Sequence, residues 1–288
     1  MKKEYVSPSN LLFSRLIGKG YGTGFIVAGL AIVLFLSIMS ISAPLISPHD
    51  PTKIGVGPSN SPPSPQFPFG TDQYGRDMLS RIIWGGRFIL LVAFVAVLIC
   101  SSIGVPIGLL SAYIGGTTDR IVSLLMDSIY SFPSLILAVM IISIYGPTVI
   151  NEAVAIAVVY VPSYFRVVRS QVLSIKELQY VEAAKCSGSN TAVILFKHIL
   201  PNVIPSVVVV LTVNFADSIL TTAGLDFIGL GLPVNLPDWG IDLTYGRLAL
   251  ATGSWWTIIS SGTMILLAAL GFSLISEGYA EKQNPRLR

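Results

Sequence analysis

The residues able to do chemistry in this chain are few and scattered. Histidine occurs twice, as His49 and His198, and cysteine twice, as Cys100 and Cys186. No CxxC or comparable ligand spacing surrounds either cysteine. Neither a Ser–His–Asp set nor an H-E-x-x-H helix can be assembled. Gly20-Tyr21-Gly22-Thr23-Gly24 is rich in glycine but lacks the Lys-Ser/Thr pair that closes a phosphate-wrapping loop. Catalysis, metal binding and a resident cofactor are therefore not expected. Two other kinds of chemistry remain. Asp127 and Asp217 fall inside apolar runs, where an ionisable group is by default a functional candidate, here for a polar translocation path. A structural hydrogen bond between helices would use the same residues. The second kind is recognition: Tyr180, Glu182 and Lys185 flank the small Ala183 and Ala184, with Gly188 and Pro201 downstream.

The elements that must hold these residues follow from composition. The 288 residues include 18 Lys and Arg and 15 Asp and Glu, 11% charged against 52% apolar, with a mean hydropathy of +0.73. A soluble domain carries about 25% charge, so this surface is not built for water, and high hydropathy excludes disorder. A bilayer-spanning helix needs about 20 apolar residues. Six segments qualify: Gly24–Ile46, Phe88–Tyr113, Ile121–Tyr145, Ala153–Val168, Val203–Ala223 and Trp256–Ile275. The first is longer than a signal-peptide core and ends without a small-x-small cleavage site, so it reads as a retained anchor. Pro106, Pro133 and Pro162 predict kinks in spans two, three and four.

Lys and Arg asymmetry sets the orientation. With the N-terminus in the cytoplasm, 13 positive residues lie inside and five (Lys53, Arg76, Arg81, Arg87, Arg247) outside, so both termini are expected in the cytoplasm. The net charge of +3 comes without a basic run interleaved with aromatics, and no nucleic acid is expected as a partner. Two external segments are long. Ser47–Arg87 opens Pro-, Ser- and Gly-rich and then passes through a turn-rich motif into an amphipathic lead-in. Gly224–Trp255 carries apolar residues and glycines that suit a segment packed on other protein.

The longest inside connection, Arg166 to about Asn202, carries the recognition residues. Glu177–Lys185 is a good helix former, and Gly188 suits a helix end in the left-handed conformation. A second short amphipathic helix follows, predicted to stop before Pro201. Small alanines let a partner surface approach closely, and helix-in-groove docking is a recurrent recognition mode. A helix lying on lipid headgroups is the alternative.

The spacing Glu182-Ala183-Ala184, Gly188, Pro201 resembles the EAA motif of membrane subunits of binding-protein-dependent ATP-binding-cassette importers. The forms Tyr180-Val181-Glu182-Ala183-Ala184 and Lys197-His198-Ile199-Leu200-Pro201-Asn202 look like the dipeptide, oligopeptide and nickel branch, specifically its second permease. So do Phe69-Gly70-Thr71-Asp72 with Gly75-Arg76-Asp77, Ser131-Phe132-Pro133-Ser134, Phe227-Ile228-Gly229-Leu230-Gly231, Asp238-Trp239-Gly240 and Asn284-Pro285-Arg286-Leu287-Arg288. The chain departs from the branch at Cys186-Ser187 and at Thr221–Asp226, where an acidic residue has moved to Asp226.

The resemblance implies an all-α polytopic bundle of six transmembrane helices with the type I importer (MetI-like) permease fold. It implies residues 1–87 as an N-terminal tail, first span and external loop, and 88–288 as a five-helix transmembrane domain with its coupling segment at 174–202. The chain would be a non-catalytic subunit in the cell inner membrane, forming half of a pathway for short peptides or related small solutes. Its implied partners are a homologous second permease, cytoplasmic ATP-binding subunits, an extracytoplasmic solute-binding protein and the lipid bilayer. Tyr180, Glu182, Ala183, Ala184, Lys185, Gly188 and Pro201 would couple to the ATPase. The alternative from another class is an ion-gradient-driven secondary carrier or channel. Such folds often show internal repeats with interrupted spans, and none is apparent here.

Overall fold

Each long apolar run of the sequence becomes a helix, because backbone polar groups in hydrocarbon must be satisfied within their own segment. The computed structural model describes residues 21–233 and 235–283; the positive residues of the N-terminal tail and the motif at Asn284–Arg288 lie outside them. The helices are α1 (Tyr21–Ile41), the single turn α2 (Ala43–Ile46), α3 (Met78–Ile114), α4 (Gly116–Tyr130), α5 (Ser134–Tyr145), α6 (Val149–Ile175) and α7 (Gln179–Cys186). Then α8 (Thr191–Val193) runs through a π-helical turn, Ile194–Ile199, into α9 (Leu200–Phe227), followed by α10 (Trp239–Ala249) and α11 (Trp256–Gln283). Among the described residues the only extended pairing is an isolated bridge between Thr71 and Asp77.

Among the described residues five helices are long and apolar enough to cross a membrane, and α4 and α5 make a sixth crossing if they are counted together. That pair corrects the sequence expectation of one kinked span over Ile121–Tyr145: the two helices meet at 89°. The cause is local. Pro133 lacks an N–H and restricts Phe132 to non-helical backbone, and Ser131 turns its hydroxyl back onto the Ser128 carbonyl at 2.7 Å. At Pro106 in α3 and Pro162 in α6 the helix continues through the proline.

Packing relies on small residues, as helices in lipid require. α1 lies against α11, and a Cβ on Gly29 would stand 2.4 Å from the Gly271 carbonyl oxygen. α3 packs along α6, with Gly104 under Tyr164. α3 is the spine. Its 37 residues extend about 55 Å at 1.5 Å per residue, linking one end of the bundle, where α10 and the segment 47–77 form a cap, to the other, where α7 projects.

Candidate functional site

α7 begins at Leu178, whose carbonyl accepts from the amides of Val181 and Glu182 at 2.9 and 3.2 Å. Its inner face is Val181, fully buried, with Ala184 partly so. Both pack into a core of Leu109, Ala112, Val172, Ile175 and Ile199 drawn from α3, α6 and the π turn. Its outer face is bare: Glu182, Ala183 and Lys185 are exposed. Val181 is thus an anchor rather than a docking knob.

Gly188 ends the helix as the sequence predicts. Its φ is +79°, a region that L side chains rarely adopt. Its amide donates to the Lys185 carbonyl at 3.0 Å, and the Ser189 amide donates to the Ala184 carbonyl at 3.1 Å. These are the two bonds of a Schellman cap. Asn190 then caps the next helix, its Oδ1 accepting from the Val193 amide at 2.8 Å. The bend is therefore hydrogen-bonded on both sides.

Beyond the bend one expectation fails. The helix does not stop before Pro201; Thr191–Phe227 is a single helix of 37 residues. The π turn at Ile194–Ile199 immediately precedes Leu200-Pro201, and its extra residue per turn makes room for the ring and the missing N–H. Pro201 is exposed on the first turn of α9. Tyr180 ties α7 to this region: the Asn202 amide nitrogen donates to its hydroxyl at 3.2 Å and to the His198 carbonyl at 2.8 Å. At the root of the elbow the Lys176 ammonium donates to the Ala112 carbonyl at the end of α3, at 3.0 Å. The Lys185 ammonium stands 5.7 Å from the Tyr113 ring centroid.

The two intramembrane acids are not brought together. Asp127, on an exposed face of α4, pairs with Arg166 of α6 at 2.8 Å, and that guanidinium lies over the Tyr130 ring. It lines an open polar cavity of about 690 Å³ with Asp119, Arg120, Ser123, Ser131 and Arg169, near the elbow end of α6. Asp119 and Arg169 form a further bidentate pair across it, at 2.8 and 2.6 Å. Asp217 is half-buried on α9 and does not line that cavity. Its backbone carbonyl lies 3.4 Å from the Tyr160 hydroxyl, six residues or about 9 Å along α6 from Arg166.

The opposite end holds the residues that sequence reasoning missed. Arg81 is fully buried. Its Nε donates to Asp242 of α10 at 2.6 Å, and its two terminal nitrogens donate to the carbonyls of Pro51 and Leu236, each at 3.1 Å. One side chain thus joins α3, α10 and both long loops. Burial pushes the Asp242 carboxyl above its ordinary range, against the lowering pull of Arg81. The Gly-Thr-Asp and Gly-Arg-Asp motif is structural: Asp72 takes the backbone amides of Tyr74 and Arg76 at 2.8 and 2.9 Å and pairs with the Arg76 guanidinium. Asp77 caps α3 by accepting from the Leu79 and Ser80 amides. Trp239, fully buried, fits against Gly85 and Gly86 and donates to the Ile82 carbonyl at 2.9 Å.

Residues 104–288 match the family model described as binding-protein-dependent transport system inner membrane component. Residues 25–63 match that of the N-terminal transmembrane domain of oligopeptide transport permease C. Over 264 residues the chain is 37% identical to the dipeptide transport system permease protein DppC of Alkalihalophilus pseudofirmus, covering 91% of this chain and 86% of that one. It is 34% identical to the probable D,D-dipeptide transport system permease protein DdpC of Escherichia coli, covering 95% and 91%. Its identity to the glutathione transport system permease protein GsiD of Pectobacterium atrosepticum is also 34%, covering 91% and 87%.

Proposed function

We propose a role that proceeds from one premise: the chain belongs to the family of binding-protein-dependent transport system inner membrane components. It is a multi-pass membrane permease subunit, a part of a transport system rather than a self-sufficient carrier. In our reading it forms half of the pathway beside a homologous second permease and receives short peptides from an external solute-binding protein. Its termini and α7 face the cytoplasm, where separate ATP-binding subunits drive it. Relatives named for dipeptides, D,D-dipeptides and glutathione share a short amide-linked cargo, and the polar lining around Asp127 suits amides and amines.

The single observation that carries the coupling assignment is the two-sided character of α7. Val181 and Ala184 are built into the bundle while Glu182, Ala183 and Lys185 are exposed, with Lys185 reaching over Tyr113. A rigid, capped helix with one bare face is the shape that takes a partner groove and passes its rotation to packed spans. Gly188 is the bend, Glu182 and Lys185 supply polar contacts, and Pro201 lies in the continuous helix that receives the motion.

The test combines contact and function. A photoreactive benzoylphenylalanine at position 183, in membranes containing the whole transport system, should crosslink to the ATP-binding subunit. Gly188→Val should abolish ATP-dependent uptake of a labelled dipeptide while the protein stays in the membrane. Crosslinking to lipid alone, or uptake by the purified chain without the ATP-binding subunits, sinks the assignment.

A further inference from the structure

The side of the bundle formed by α1, α3, α9 and α11 carries a groove of about 750 Å³ that the transport mechanism does not use. Its wall is aromatic and aliphatic. Phe215 and Phe272 stack at 4.7 Å with their planes 7° apart, and Phe94 lies 6.4 Å from Phe215. One end differs. There Arg87 is exposed, its guanidinium 4.8 Å above the Trp84 ring, with no carboxylate among the groove's lining residues. The buried indole N–H of Trp84 and the hydroxyl of Ser40, itself only 2% exposed, have no hydrogen-bond partner. A Cβ on Gly86 would come within 2.1 Å of that hydroxyl, so α1 and α3 touch at this level and close the end of the groove.

The dimensions match one leaflet. From Ile41 to Val33 along α1 and from Arg87 to Phe94 along α3, the groove runs about 11–12 Å. Half of a hydrocarbon core is about 15 Å. Its cationic end lies where α1 leaves its apolar stretch, the depth at which Arg and Trp sit at the headgroup boundary.

We propose that this groove is a binding site for an anionic glycerophospholipid, with an acyl chain against Phe94, Phe215 and Phe272 and the phosphate at Arg87. The occupant follows from charge. One cation in a lining that holds no carboxylate favours a headgroup of net negative charge, whereas a zwitterionic head brings an ammonium for which the lining offers no partner. Apolar length excludes free phosphate as the ligand.

Tryptophan quenching by brominated lipid tests this on the full chain within its transport complex, with Trp84→Phe isolating the signal of that ring. In vesicles of phosphatidylcholine and phosphatidylglycerol, dibrominated phosphatidylglycerol should quench Trp84 with about fivefold higher apparent affinity than dibrominated phosphatidylcholine, as one cation at a lipid surface provides. Arg87→Gln should bring that ratio to about one, with quenching by both lipids retained. Ser37→Phe, which fills the groove without touching Arg87, should abolish saturable quenching by either. Equal affinities in the unmodified protein, or a preference that survives Arg87→Gln, would overturn the proposal. So would a crosslink from a photoreactive side chain at position 91 to the second permease instead of lipid.

Discussion

The elbow and the distal cap stand at the two ends of α3 and are held by opposite kinds of contact. The cap is closed by buried polar bonds: Arg81 to Asp242, Pro51 and Leu236, Trp239 to Ile82, and Trp256 to Thr71. The Arg81–Asp242 pair is out of water, and each charge depends on its partner. The elbow is held by the apolar anchor Val181 with Ala184, by backbone caps and by partly solvated bonds at Tyr180 and Lys176, and Glu182 and Lys185 lie in solvent. A charge in water can be offered to another protein at little loss, because exposed pairs contribute about 0–1 kcal/mol. A buried charge cannot be released without leaving an orphan. The cap is therefore a fixed frame, and the elbow a handle that keeps its own shape and leaves one face unused.

Breaking the frame should have the largest effect. Arg81→Met removes the cation bonded to Asp242 and strands two loop carbonyls. Loss of one partner of a buried pair destabilises by about 3–5 kcal/mol. The thermal midpoint of the detergent-solubilised protein should fall sharply and its membrane yield with it. An unchanged midpoint would show that water already reaches Asp242. Gly188→Val, by contrast, should destabilise by only about 1–2 kcal/mol, the penalty for a Cβ in the left-handed region, since nothing lies within 4 Å of that position. Its midpoint should stay close to that of the parent protein even where uptake is lost. That split between stability and function separates a handle from a frame.

Much of this contrast could be read from the residues, and the rest depended on neighbours far away in sequence. Apolar runs located the helices because hydrocarbon forces internal hydrogen bonding, and Gly188 announced its bend because only glycine takes that backbone freely. The break between α4 and α5 read as a kink, since a proline inside an apolar run is compatible with both and the Ser131 hydroxyl bond that joins it shows only in the folded chain. Pro201 read as a stop because no local pattern announces the π turn before it. Arg81 counted only as an external positive charge; its acceptor Asp242 is 161 residues away. The available signal was an arginine within the buried stripe Met78, Ile82, Gly85 and Ile89. Asp127 and Asp217 stood out as acids in apolar runs, but their separate surroundings, an arginine and a tyrosine on α6, follow only from helix packing.

A smaller effect sharpens the elbow side. Tyr180→Phe removes the hydroxyl that accepts from Asn202 while keeping the ring against His198. A hydrogen bond contributes about 0.5–1.5 kcal/mol, and this one is partly solvated, so the loss should fall at the low end. Hydrogen exchange of the amides in α7 should rise severalfold with the global midpoint unmoved. Unchanged exchange would assign the stiffness of the elbow to Val181 and the caps alone.

The smallest effect at neutral pH belongs to Asp238→Asn, and it probes the cap through its protons. Asp238 is fully buried; its Oδ1 caps α10 by accepting from the Gly240 amide at 2.7 Å, and its Oδ2 has no donor. Asp226, whose Oδ2 also lacks a donor, is the acid whose charge acts most strongly on it. Glu152 of α6 and Asp242 of α10 are the other acids facing it, and Arg81 is committed to Asp242. Two carboxylates cannot bond unless one carries a proton, and burial with these neighbours holds Asp238 well above its ordinary 3.8. A folded value raised above the unfolded one gives stability that is full below the unfolded value and is lost as pH rises through the folded one. The thermal midpoint should therefore decline as pH rises above the ordinary carboxylate range, with a slope of at most about 1.4 kcal/mol per pH unit for one proton. Asparagine keeps the cap through its Oδ1 and donates to Asp226 at every pH, so the variant should flatten that decline, while Tyr180→Phe at the elbow should leave it as it was. Parallel slopes in the parent and the asparagine variant would place the proton elsewhere among the buried acids, and would remove this difference between the two ends of the molecule.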